Sequence, residues 1–145
     1  MESERDMETG RNMTKNTEAK TAPESRQHVT AGPYSPVLEI KPGSTLVVIS
    51  GQAALDFDGN VVSDDFEEQS RVTLDNCLTQ LNAANCTFAH VFKVNVYLTH
   101  LEDWPMFNTI YQKVMPEPLP VRTAVQTGLL SNFLVEIEMW SAKIE

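Results

Sequence analysis

Only two stretches of the chain repeat apolar residues at helical spacing, and everything around them reads as strand or turn. In the first, Phe66, Ser70, Thr73, Cys77, Leu81 and Ala84 recur at intervals of three or four, with Glu67, Glu68, Arg71 and Asp75 on the solvated side. Asp64 and Asp65 suit an N-cap, and Asn85 suits a left-handed stop, so the spacing predicts a helix from Asp64 or Asp65 to Ala84. In the second, Phe107, Ile110, Tyr111 and Val114 fall at i, i+3, i+4 and i+7 behind Asp103, with Pro105 tolerated in the first turn.

Two helices cover one face of a sheet and leave the other bare. The strands that must share that sheet are residues 37–41 and 45–54, read as a hairpin-like pair, then 91–99, 121–127 and 133–141. Asp58-Gly59 marks the turn after the pair. The order is ββ-α-β-α-ββ, an α+β class. The last strand puts Val135, Ile137 and Met139 on one side and Glu136, Glu138 and Trp140 on the other. In residues 91–99, Phe92, Val94, Val96 and Leu98 oppose Lys93, Asn95 and Tyr97. A bare, partly apolar sheet face calls for a second subunit, so an oligomer is expected.

At 145 residues the chain fits one domain. Residues 1–27 are nearly balanced in charge and poor in large apolar residues, which predicts a disordered tail ahead of a domain at 28–145. The net charge of −9 sits mostly on the domain, where six Lys and Arg face fourteen acids. Such a surface repels phosphate backbones and anionic lipid, which argues against nucleic acid and membrane as partners. No apolar run reaches the roughly 18–20 residues that cross a bilayer, and no secretory signal opens the chain. Cys77 and Cys86 fit a reducing compartment, and cytoplasm is the expectation.

The segment PVRTAV sets a single arginine, Arg122, among apolar and small residues. The residues alone leave two readings open. Arg122 pairs with Glu136 or Glu138 on a neighbouring strand, or it grips a ligand carboxylate through two parallel hydrogen bonds. Ala124 leaves room beside it. His28, His90 and His100 show no metal-ligand spacing, and His90 and His100 read as surface residues. Ser50 lacks the surroundings of a nucleophile elbow, and no phosphate or cofactor fingerprint is present.

Taken together, AGPYSP, VVISGQ, EEQSRVTLDNCLTQLNAANCTF, VFKVNVYLTHLEDWPMFNTIY, PVRTAV and VEIEMWSA resemble, in order and spacing, the reactive-intermediate deaminase family, the YjgF-like or Rid proteins. The resemblance spans residues 29–142. It implies a chorismate-mutase-like fold, a mixed five- to six-stranded sheet with two helices on one face. It also implies a homotrimer, with the sheets forming a barrel and a cleft at each subunit interface. The implied activity is hydrolysis of enamine and imine intermediates such as 2-aminoacrylate to 2-keto acids and ammonia, without cofactor or metal. On the family pattern Arg122 holds the substrate carboxylate and Glu138 positions the attacking water. Tyr34, Ser50, Gly51, Asn108 and Ala124 line the substrate cleft. The resemblance leaves open a non-catalytic trimer that binds 2-keto or amino acids. An endoribonuclease or translation inhibitor, also attached to the family, fits the acidic surface poorly.

The chain departs from the family at three places. Ala124 stands where Cys or Ser is common, Trp140 where small aliphatics are common, and Asn85 where glycine is usual. Hydrolysis survives the first departure if only the backbone of residue 124 is needed.

Overall fold

Asp65 starts helix α1 (Phe66–Ala83) by accepting a hydrogen bond from the Glu68 amide at 2.9 Å. The helix buries Phe66, Gln69, Ser70, Thr73, Leu74, Cys77 and Leu81, close to the predicted stripe. Asn85 ends it at φ 61°. Leu74 joins the buried face, and so does the polar Gln69. Its amide donates to the carbonyls of Ser63 (2.8 Å) and Asn132 (3.0 Å) and accepts from the Leu134 amide (2.9 Å), tying the helix start to the last connection. Helix α2 (Trp104–Val114) begins with Pro105 in its first turn and buries Phe107, Ile110 and Tyr111. Val114 is exposed, and Asp103 occupies the cap position without a side-chain capping bond.

The computed structural model describes residues 18–28 and 32–144. Among the described residues six strands form two sheets rather than the single five- to six-stranded sheet expected. Strands β1 (Lys20–Thr21) and β2 (Glu39–Ile40) pair antiparallel as a small separate ribbon. Strands β3 (Thr45–Gln52), β4 (Val91–Leu98), β5 (Val121–Gln126) and β6 (Val135–Lys143) form a mixed sheet in the order β3-β6-β4-β5. Strands β4 and β5 run parallel, and β6 is antiparallel to both β3 and β4.

Three expectations change here. The hairpin of 37–41 with 45–54 does not form, because β2 gives its edge to β1 and β3 pairs with β6. Part of the expected tail packs on the domain: Ala19 is buried, and the buried Lys20 ammonium donates to the carbonyls of Val91 (2.5 Å) and Pro118 (2.8 Å), while residues 1–17 lie outside the described residues. Two carbonyls pull this lysine inward, which composition cannot reveal. His90 is buried as well. Its Nδ1 accepts from the Thr87 amide at 2.9 Å and closes a short turn, Phe88–His90, into β4.

One sheet face packs on the helices. Val94, Val96 and Leu98 of β4, Val135, Ile137 and Met139 of β6, and Ile49 of β3 join Leu74, Cys77, Leu81, Phe107 and Tyr111 in one core. Each such side chain contributes about 1.5–3 kcal/mol on burial. Burial also pushes the Cys77 thiol up to about 12, leaving it an inert core residue. The opposite face carries Leu46 and Val48, each 57 % exposed, with Val125 and Trp140 also exposed. A register shift after Val91 sends Phe92 to this side, against Trp140 with ring centroids 6.4 Å apart. No helix among the described residues is long and apolar enough to cross a membrane.

Candidate active site

Trp104, Phe107 and Tyr111 follow one another at helical spacing on α2 and stack their rings, 5.8 Å and then 5.7 Å between centroids. Arg122 of β5 pairs in register with Val94, whose side chain is buried toward the helices. Its guanidinium therefore turns to α2, lying 4.5 Å from the Trp104 ring centroid and 4.6 Å from that of Tyr111. The two ring contacts hold the cation without using its hydrogen-bond donors. Both terminal nitrogens are buried and have no hydrogen-bond partner among the described residues. Burial lowers the guanidinium pKa from its ordinary value, opposed by Tyr111 and Tyr34. It stays charged all the same. Burial likewise raises the Tyr111 phenol, against the pull of Arg122.

A buried charge with its donors unused is costly unless something meets it. The backbone comes close to this charge. Gly32 sits at φ 113°, and a Cβ there would collide with Nη2 of Arg122. The side chain of Asn108 lies beside the same glycine, and its Oδ1 is buried without a partner. Two hollows share Tyr34, Arg122 and Thr123. One of about 370 Å³ continues to Lys93 and Ser35, and one of about 280 Å³ continues to Trp104 and Ala124. The structure thus brings together Arg122, Tyr34, Asn108 and Ala124.

It does not bring Glu138 to them. Strand β4 separates β5 from β6, and Glu138 pairs with Asn95 on the bare face. Its Oε1 accepts from Asn95 Nδ2 and from the Tyr97 hydroxyl, both at 2.8 Å. That bond raises the Tyr97 pKa. The ion pair of Arg122 with Glu136 or Glu138 is absent among the described residues; Arg71 pairs instead with Glu67 on the surface of α1.

Ser50 and Gly51 stand elsewhere too. The β3–β6 register slips between Ile49 and Gln52, and this irregularity presents Gly51 to Glu136 so closely that a Cβ would strike the carboxylate. Gly51 and Glu136 line a larger cleft of about 550 Å³. Sequence reasoning named Glu136 only as a possible partner of Arg122 and passed over the Trp104–Tyr111 shelf. The aromatic spacing on α2 was the available signal for the shelf. Nothing in the alternation of β6 separates the two glutamates.

The family model for Endoribonuclease L-PSP matches residues 24–143. The chain belongs to this family, the YjgF/Rid proteins. It is 38% identical over 97 residues to protein mmf2, mitochondrial, of Schizosaccharomyces pombe, covering 67% of this chain and 74% of that one. To the mouse 2-iminobutanoate/2-iminopropanoate deaminase it is 35% identical over 109 residues, 74% of this chain and 78% of that one. Among solved structures, RidA of the Antarctic bacterium Psychrobacter sp. PAMC 21119 superposes with a TM-score of 0.63 at 28% identity, covering 80% of this chain and 98% of that one. The α+β architecture is shared with these structures.

Proposed function

We propose that the chain is a hydrolytic deaminase of small 2-imino acids, with sites that form between copies of the chain. The observation that carries this is the unspent guanidinium of Arg122, held against Trp104 and Tyr111 at the wall of two hollows. A carboxylate docked there gains two parallel charge-assisted hydrogen bonds and completes the buried charge. Asn108 Oδ1 is free to accept from the substrate nitrogen.

One chain supplies only half of a site. The water-activating carboxylate comes from β6 of a neighbouring copy, and Glu136 suits it better than Glu138. Glu136 faces a cleft beside the Gly51 backbone, whereas two donors already hold Glu138. The exposed Leu46, Val48, Val125 and Trp140 give the copies an apolar face to share, which supports the trimer.

The chemistry is modest. An enamine first tautomerises to the imine. Glu136 takes a proton from a water whose oxygen bonds to the imine carbon, and the nitrogen gains a proton. The carbinolamine hydroxyl then gives up its proton, the nitrogen takes one, and the C–N bond breaks to leave ammonia and the 2-keto acid. Orientation and one positioned base, the latter contributing about 10²–10⁴ in rate, meet this demand.

The test generates 2-aminoacrylate with a serine dehydratase and follows pyruvate with and without the protein. Acceleration that Arg122→Ala abolishes supports the reading. Acceleration that survives moves the carboxylate site elsewhere. No acceleration, with keto-acid binding that Arg122→Ala abolishes, leaves a non-catalytic binding trimer. RNA cleavage that Arg122→Ala spares would favour the endoribonuclease description.

A further inference from the structure

Arg122 is not the only cation at its hollow. Lys93 lines the same space of about 370 Å³ beside the start of β5, and no Asp or Glu among the described residues lines it. From residue 28 onward the chain has six Lys and Arg against fourteen acids. Two of those six cations therefore share one concave wall that the acids leave alone. Like charges held together repel, so the pair gains when an anion enters between them.

Each cation is seated on aromatic rings. Arg122 lies against Trp104 and Tyr111, and Lys93 Nζ lies 5.4 Å from the ring centroid of Trp140, which Phe92 meets edge-on. A ring contact uses none of the three ammonium donors. No ion pair holds Lys93 among the described residues, and Glu138 on the adjoining strand gives its Oε1 to Asn95 and Tyr97 instead. The wall also carries Tyr34, Ser35, Thr123 and the amide of Gln27. It is tied from behind. The Ser35 amide donates to the Pro120 carbonyl at 3.1 Å. Ala19 accepts from the Lys41 amide at 2.7 Å, and with the bonds of Lys20 this anchors the segment that leads to Gln27. Little of this wall has to be ordered by a ligand.

We infer that this hollow holds a subsite for a second carboxylate, so that the protein takes short dicarboxylic 2-imino and 2-keto acids in preference to monocarboxylic ones. The inference rests on Arg122 as the holder of the first carboxylate. With that group at Arg122, the far carboxylate meets the Lys93 ammonium and the Gln27 amide. The space suffices, because about 370 Å³ accommodates about twelve groups of roughly 30 Å³ and 2-oxoglutarate has ten non-hydrogen atoms. The reactions that supply such imines are oxidations of acidic amino acids at the Cα–N bond.

Calorimetry on the parent compares 2-oxoglutarate with 2-oxopentanoate, which has the same carbon chain and no second carboxylate. The diacid is expected to bind about 10-fold tighter, as one added charge-assisted hydrogen bond allows. That ratio should fall toward one in Lys93→Met and survive in Lys93→Arg. Salt at about 0.5 M should shrink it, because the second pair is half-exposed. Equal or weaker binding of the diacid overturns the inference, and so does a preference that Lys93→Met leaves intact. If the monoacid still binds and Arg122→Ala abolishes that binding, the second subsite falls while the Arg122 reading stands. If neither acid binds, both fall together.

Discussion

Arg122 and Glu138 stand on opposite faces of one sheet, with β4 between them. Arg122 pairs with Val94, which is buried under the helices, and Glu138 pairs with Asn95, which is on the bare side. Glu136 shares the side of Glu138, two residues away on β6. A site that joins the arginine to either carboxylate needs two copies of the chain. Co-expression of Arg122→Ala with Glu136→Gln, each inactive alone, should therefore recover activity. In a cyclic trimer each cleft draws one residue from each neighbour, so random mixing restores about a quarter of the sites. Steady-state rates of the purified mixture check this, and a mixture as dead as its parents refutes the shared cleft.

The two glutamates separate by what each variant damages. Glu136→Gln is expected to lower kcat by about 10²–10⁴ while leaving the melting temperature near that of the parent, because its carboxylate carries no described hydrogen bond that folding needs. Glu138→Ala strips Asn95 Nδ2 and the Tyr97 hydroxyl of their shared acceptor. The cost is about 1–3 kcal/mol in stability or assembly. Calorimetry beside kinetics tells the two apart, and a reversed pattern makes Glu138 the base.

Much of the fold was legible because its signals are local. Asp65, the α1 stripe, Asn85, the Asp56–Asn60 turn and the alternation of β6 each declare themselves within a few residues. Strand partners do not. Nothing near residue 40 says that its neighbour is residue 20 rather than 47, since either edge satisfies the same backbone groups. Buried polar residues were hidden for the same reason. Lys20 and Gln69 are inside because distant carbonyls and an amide receive them. Arg122 was visible as an anomaly, a charge in an apolar run. Its aromatic shelf needed the packing of α2 on β5.

Gly32 gives a sharp check on the backbone's close approach to the arginine. It holds φ 113°, and a Cβ would occupy the place of Arg122 Nη2. Gly32→Ala should cost about 1–3 kcal/mol in backbone strain. It should also raise KM for the imine or its keto-acid product more than it lowers kcat, because the displaced group is the carboxylate holder. Unchanged KM with full stability would mean that the guanidinium is not held where its ligand binds.

Lys20 predicts a pH dependence from the other end of the chain. Burial lowers its pKa from 10.5 to about 8, while the carbonyls of Val91 and Pro118 receive its hydrogen bonds. The folded chain therefore holds this proton less tightly than the unfolded chain. Unfolding takes up a proton between about pH 8 and 10.5, so Lys20 makes stability rise with pH across that window and adds no slope below it. Denaturant midpoints of the parent, minus those of Lys20→Met, should climb from pH 8 to 10 and stay level from pH 6 to 7. A difference that falls over the upper range would mean that the two carbonyls outweigh burial and hold the lysine in its charged form.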